Sequence, residues 1–448
     1  MKGHDLSQGS VLKTLVLFAI PFLIANILQS LYGAVDLFVV GRFCSADAQA
    51  AVSVGTQVTQ IVTSLITGLT LGSTVLIGKY TGMKKMDDVK KLIGTSFVLF
   101  AIVAIVIMIA ILLILNPLLN ALNTPEESFE YAKRYVSICM YGNIFVCGYN
   151  AISSVLRGYG DSTRPMIFVA IACIINIGLD FLFVGAMSMG VEGTALATIV
   201  AQGVSMIVAV VYLKKKDFIF DFKLASFRPY SRYVKEIATV GIPISFQELM
   251  VRISFLYLMT VMNRCGVYAA AVYGVGSKYD VFAMLTATSM ANALAAITAQ
   301  NYGANKPERA RKSLWQSLGI ALVVSFCFWI WAQVSPESMI GVFSGDADVI
   351  AAGIPFFKAC SYDYFLVSIV FVLNGYLNGR QKTVWTMISC CIGALALRIP
   401  LVHLFGTLYS DDLGKLGTIA PTVSAVMACY TLIYVVIDAK REGRRKTI

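Results

Sequence analysis

The chain has 448 residues, of which 58% are hydrophobic and 14% charged, with a mean hydropathy of +0.75. A soluble domain carries about a quarter charged residues, so apolar surface spread along the whole chain excludes a single water-solvated core and points to lipid as the solvent. The formal net charge of +11 lies in short clusters between apolar runs. It therefore reads as basic loops of a membrane protein, not as the basic face of a nucleic-acid binder.

The first apolar run, 14–41, follows Lys2 and Lys13 and exceeds the about 7–15 apolar residues of a secretory signal, so it is expected to be a retained span. Eleven more follow at 50–80, 92–116, 131–156, 165–187, 191–213, 235–262, 267–299, 313–334, 352–377, 383–406 and 415–438. Each is near the about 20 residues needed to cross a bilayer. Each must be helical, because unpaired backbone groups are costly in hydrocarbon. The expected fold is therefore an all-α integral membrane protein of twelve transmembrane helices.

The loops alternate in sign. Lys84, Lys85, Lys90 and Lys91, then Arg157 and Arg164, then Lys214 to Lys216, then Arg309, Arg311 and Lys312, then Arg380 and Lys382 form one set with the tail Lys440 to Lys446. Asp47, Glu126, Glu127, Glu337, Asp346, Asp348, Asp411 and Asp412 form the other. The positive-inside rule places the basic set and both termini in the cytoplasm. A basic polar stretch near the middle divides the chain into an N-terminal lobe, 1–215, a cytoplasmic linker, 216–234, and a C-terminal lobe, 235–448.

The two lobes share landmarks. Ile20-Pro21 and Ile242-Pro243 each open a span, and Arg42 and Arg264 each end it, at one offset: 243 − 21 = 264 − 42 = 222. Lys79-Tyr80 matches Asn301-Tyr302 at the same offset, and Leu156-Arg157-Gly158-Tyr159 matches Leu373-Asn374-Gly375-Tyr376 at 217. Six helices per repeat is an even number, so the halves run parallel, as in many secondary transporters.

A charge at the centre of a span costs about 2.5–3.5 kcal/mol and needs a reason. Asn26, Gln29, Gly33 and Asp36 share one side of the first span, with Tyr32 adjacent, and Pro21 is expected to bend that helix. The second span carries a stripe of Ser53, Gln57, Gln60, Ser64 and Thr67; the fifth carries Asn176 and Asp180; the sixth carries Thr194, Thr198 and Gln202. Asp36, Asn176, Asp180 and Thr198 would offer only oxygen ligands, which suits Na⁺, and a pair of carboxylates in low dielectric also suits a proton. The serines and threonines read as interhelical hydrogen-bonding groups. Gly68 and Gly72 read as a close helix contact. In the second lobe the position matching Asp36 is Leu258, while Glu248 and Arg252, Lys278 and Asp280, Asp363, Arg398 and His403 lie within spans.

Ten scattered cysteines and two histidines, His4 and His403, leave no disulfide framework and no zinc site. Gly72 to Tyr80 has the wrong spacing for a phosphate-binding loop, and no H-E-x-x-H or G-x-S-x-G occurs. No enzyme and no catalytic residue is expected, and without a nucleotide site the energy must come from an ion gradient.

Gln29-Ser30-Leu31-Tyr32-Gly33-Ala34-Val35-Asp36 with Val40-Gly41-Arg42 resembles the first helix of the MATE (multidrug and toxic compound extrusion) family. Leu156 to Pro165, Asn176-Ile177-Gly178-Leu179-Asp180, Gly193 to Thr198 and Ala299 to Ala304 resemble later stretches of it, in order over nearly the whole chain. The resemblance implies two pseudo-symmetric six-helix bundles around a V-shaped cavity, working by alternating access. It implies export of small organic, often cationic, drugs in exchange for Na⁺ or H⁺, from a bacterial inner membrane, with membrane lipids as surroundings. Neither a cofactor nor a nucleic acid is expected, and a monomer is. It implies a cation site at Asp36, Asn176, Asp180 and Thr198. Gln29, Tyr32, Gln57, Gln60, Gln202, Glu248 and Asp363 are candidate cavity residues. Asp363 resembles the acid of one branch's second-lobe ion site, but Val251 stands where the partner acid is expected. The alternative function is a flippase for a lipid-linked oligosaccharide from the wider superfamily; the acidic first-lobe stripes favour cations over a pyrophosphate.

Overall fold

The structure, a computed structural model, describes residues 5–216 and 218–446. Lys2 and His4, and the side chains of 443–446 in the basic tail, lie outside the described residues.

Among the described residues there are helices and no strands. The first half contains α1 (Val11–Phe43), α2 (Ala46–Gly82), α3 (Met86–Ala121), α4 (Glu126–Tyr141), α5 (Asn143–Gly158), α6 (Thr163–Asp180) and α7 (Gly190–Lys215). The second contains α8 (Ser231–Arg264), α9 (Val267–Gly303), α10 (Pro307–Val334), α11 (Pro336–Gly341), α12 (Ala347–Cys360), α13 (Asp363–Gly379), α14 (Thr383–Cys391), α15 (Ile399–Leu408), α16 (Leu413–Gly417) and α17 (Ile419–Lys446). Every expected span is helical. Among the described residues ten helical runs are long and apolar enough to cross a membrane, three of them built from consecutive elements, and α12 with α13, bent by 42°, makes an eleventh. The remaining stretch, 131–156, is built by α4 and α5, two 16-residue helices meeting at Gly142.

The breaks repeat. The fourth span of each half is interrupted, at Gly142 and at Ser361-Tyr362. The fifth span of each half passes from α-helix into a π-helical stretch, Phe181–Ala186 after α6 and Ile392–Arg398 after α14. Side chains end other helices: Ser45 Oγ accepts from Ala48 N at 3.3 Å at the start of α2, and Asp346 Oδ1 from Asp348 N at 2.9 Å at the start of α12. Pro21 and Pro243 sit inside α1 and α8, each continuous through its proline.

Two compact units result. One holds Ile20–Ser245 with Gly303–Asn305; the other holds Phe246–Tyr302 and the chain from Lys306, with Gln8–Ala19. The divisions at 19/20 and 245/246 fall inside helices, α1 and α8. In the first unit the hydropathic window of α2 is 61% buried and that of α3 only 17%, so α2 is central and α3 faces outward. In the second, α9 is equally central at 61% and α10 peripheral at 22%. Small residues permit the tightest contacts, as expected for Gly68 and Gly72. A Cβ on Gly68 would stand 2.1 Å from Ser245 N, and one on Gly72 2.9 Å from Gly241 Cα.

The segment expected to be a linker is packed into the first unit. Phe218 and Phe220 are buried, the rings of Phe220, Phe222 and Phe227 surround Phe97 on α3, and Thr95 Oγ1 donates to Arg228 O at 3.1 Å. The matched tyrosines have matched surroundings. Tyr80 OH donates to Glu236 at 2.9 Å beside Arg232, and Tyr302 OH donates to Glu442 at 3.1 Å beside Arg380.

Candidate functional site

In the first unit, four helices bring polar side chains to one place. Asn176 and Asp180, one turn apart on α6, are both fully buried. Asp36 on α1, 7% exposed, acts directly on both of them. Tyr32, one turn before Asp36, adjoins Thr198 of α7, Cys139 of α4 and both carboxyls. Asp180 is the last α-helical residue before the π-helical stretch, a local irregularity frequent at functional sites.

These groups are buried but not satisfied by the protein. Asp36 Oδ1, both carboxyl oxygens of Asp180, Asn176 Oδ1, Thr194 Oγ1, Thr198 Oγ1 and Gln202 Oε1 have no protein hydrogen-bond partner. Among the described residues no Lys, Arg or His acts on either carboxyl. Two acids side by side without a base, ringed by further unpaired oxygens, form a set of hard ligands that fits a small cation or a proton.

The other candidates divide. Thr194 and Gln202, one turn either side of Thr198 on α7, bury unpartnered oxygens, whereas Gln29 and Gln60 are exposed and Gln57 half-buried. Ser64 and Thr67, expected to bond between helices, donate to carbonyls of their own helix, at 2.9 and 2.8 Å.

The second unit has a cluster of different character. Asp363, at the start of α13, is 4% exposed and faces Ser424 of α17, Arg398 and Asp280 of α9. Arg398, 5% exposed, closes the π-helical stretch. Its Nη1 donates to Ser254 Oγ at 3.1 Å and its guanidinium lies 4.2 Å from the Phe255 ring centre. Glu248 lies beside Arg252, one turn on, and near Cys390. Asp280 and Arg398 stood out in sequence as charges inside spans, but nothing local showed that α9, α13 and the π-helical stretch bring them to Asp363.

A family model, MatE, matches the chain twice, over residues 21–182 and 243–404. Both ends of the match repeat the sequence offset, 243 − 21 = 404 − 182 = 222. The chain belongs to the MatE family. Its relatives include the probable multidrug resistance protein YpnP of Bacillus subtilis, 28% identical over 93% of this chain and 92% of that one. Another is the multidrug export protein MepA of Staphylococcus saprophyticus, 22% identical over 98% and 97%. Among solved structures, an outward-facing multidrug resistance MATE family transporter superposes with a TM-score of 0.91 at 21% identity, covering 98% of both chains. A transporter of the same superfamily from Pyrococcus furiosus, described as having a binding pocket of reversed polarity, superposes with a TM-score of 0.90 at 22% identity, again over 98% of both. As a MatE protein the chain is a multi-pass membrane transporter of two repeated halves and not an enzyme.

Proposed function

We propose that this MatE protein is a secondary antiporter that exports small organic, often cationic, compounds in exchange for Na⁺ or H⁺ held at Asp36, Asn176, Asp180 and Thr198. The observation that carries the reading is the pair of buried carboxyls, Asp36 and Asp180, with no base beside them and unpaired oxygens around them. The names of the relatives, multidrug resistance and multidrug export proteins, support the substrate class. A cation entering from outside neutralises the pair, substrate affinity falls, and release of the cation inside restores it. One monovalent cation against one monovalent substrate is electroneutral, so a tenfold ion gradient supplies about 1.4 kcal/mol, enough for about tenfold accumulation. The basic loops and both termini lie in the cytoplasm in this reading.

The test is efflux of a fluorescent cation from cells expressing wild type or Asp36→Asn, in Na⁺ medium and in K⁺ medium. Wild type exports and the variant does not; dependence on Na⁺ selects Na⁺ over H⁺ as the coupling ion. Normal export by a normally expressed Asp36→Asn variant removes the first-unit site from the mechanism.

A further inference from the structure

The two halves can be compared position by position at the offset of 222. Asp36 and Asp180 fall on Leu258 and Val402, both apolar and buried. Asn176 falls on Arg398 (176 + 222), Tyr32 on Ser254, and Gln202 on Ser424. Those three second-half residues are the ones that meet around Asp363: Arg398 donates to Ser254, and Asp363 faces both Ser424 and Arg398. The same geometric spot is thus used in both units, and its polarity differs. The first unit puts two acids and an amide there. The second puts a guanidinium there and brings its acids, Asp363 and Asp280, from other helices.

The opposite charges in the second unit do not close on each other. Among the described residues Arg398 makes no direct ion pair; its Nε has no hydrogen-bond partner, and neither has Asp363 Oδ1. A guanidinium that is 5% exposed would ordinarily be held by a carboxylate, because leaving a buried charge unpaired is costly. Here one edge is fixed by Ser254 and one face lies on Phe255, which leaves the remaining edge available for a planar anion. Arg presents its N–H groups in a rigid fork that matches a carboxylate. The carboxyl oxygens of Asp363 and Asp280 supply the complementary pole. Their proximity to Arg398 is electrostatic and not a contact pair.

We infer that the second unit holds a substrate subsite for zwitterions, with Arg398 taking the carboxylate of the substrate and Asp363 with Asp280 taking its cationic group. This rests on the transporter reading above and extends it from organic cations to compounds that also carry an anionic group. Arg398 is the specificity-determining residue. Without it the cluster around Asp363 keeps only its acids, and a carboxylate-bearing compound meets repulsion.

The test uses the full chain in proteoliposomes with an imposed ion gradient and two probes that differ in one group, rhodamine 110, which carries a free carboxylate, and its methyl ester, rhodamine 123. Wild type transports both. Arg398→Gln is expected to lower rhodamine 110 transport about 10–100-fold, the effect of losing one charge-assisted hydrogen-bonded partner, and to leave rhodamine 123 within about twofold. Arg398→Lys, which keeps the charge and loses the fork, is expected to fall between. If Arg398→Gln transports neither probe, binding of the two probes to the purified variant is compared by fluorescence polarisation. A selective loss of rhodamine 110 binding supports the subsite, and an equal loss shows a structural role and overturns it. Equal transport of both probes by wild type and Arg398→Gln also overturns it. A wild type that transports rhodamine 123 but not rhodamine 110 overturns this inference alone, whereas one that transports neither, nor other organic cations, overturns the transporter reading itself.

Discussion

Asp180→Asn should make the protein more stable while stopping export. Asp180 is fully buried, neither of its carboxyl oxygens meets hydrogen-bond geometry with a partner, and the carboxyl of Asp36 lies beside it. A buried unsatisfied polar group costs about 1–3 kcal/mol, and more when charged. Asn keeps the shape and cannot ionise, so the buried site can no longer be charged beside Asp36. For a unit of 150–250 residues each kcal/mol is worth about 2–4 °C, so the midpoint of thermal unfolding should rise by about 2–12 °C. The assay is thermal unfolding of purified wild type and variant in detergent, in choline buffer without Na⁺, alongside cation efflux. Na⁺ at about a hundred times its dissociation constant would stabilise a site it occupies by about 2.7 kcal/mol, so a Na⁺-coupled wild type gains on Na⁺ addition and the variant gains much less. A variant that melts below wild type in choline, or that exports normally, refutes the reasoning. The first result would mean that Asp180 is held by favourable contacts; the second, that the acid pair is not the coupling site.

Three further outcomes are expected. Arg380→Leu should lose about 3–5 kcal/mol, read as a lower unfolding midpoint, because its side chain is only 9% exposed and pairs with Asp438 and Glu442, which it would leave uncompensated. Gly375→Ala should cost about 1–3 kcal/mol, since a Cβ there would stand 2.4 Å from Ala291 O and force α13 from α9, whereas Gly33→Ala, with nothing within 4 Å of its Cβ, should leave detergent-extracted yield unchanged. A cysteine introduced at Lys84 should react with a membrane-impermeant maleimide only after the cells are opened, and one at Asp346 in intact cells, each measured above the labelling of the parent chain; the reverse pattern inverts the topology.

Much of this protein was determined by local properties of the chain. Hydropathy placed the helical stretches, because hydrocarbon accepts only helices at that length. The offset of 222 was visible because prolines, arginines and tyrosines recur at the ends of spans, and the family match repeats it. Asp36, Asn176 and Asp180 stood out because charge and amide are expensive in lipid, and Asn176 with Asp180 shared a face by helical spacing alone. Tertiary structure decided the rest. The polar composition of 216–234 reads as a free connection, yet its phenylalanines found a partner in Phe97, far away in sequence. The π-helical stretches at Asp180 and Arg398 depend on packing and leave no periodic signal. Above all, Asp280, Asp363 and Arg398 lie on three segments whose approach no local pattern encodes. A charge inside a span announces that it needs a partner, but only the packing of the helices determines whether that partner is another residue or something the protein carries.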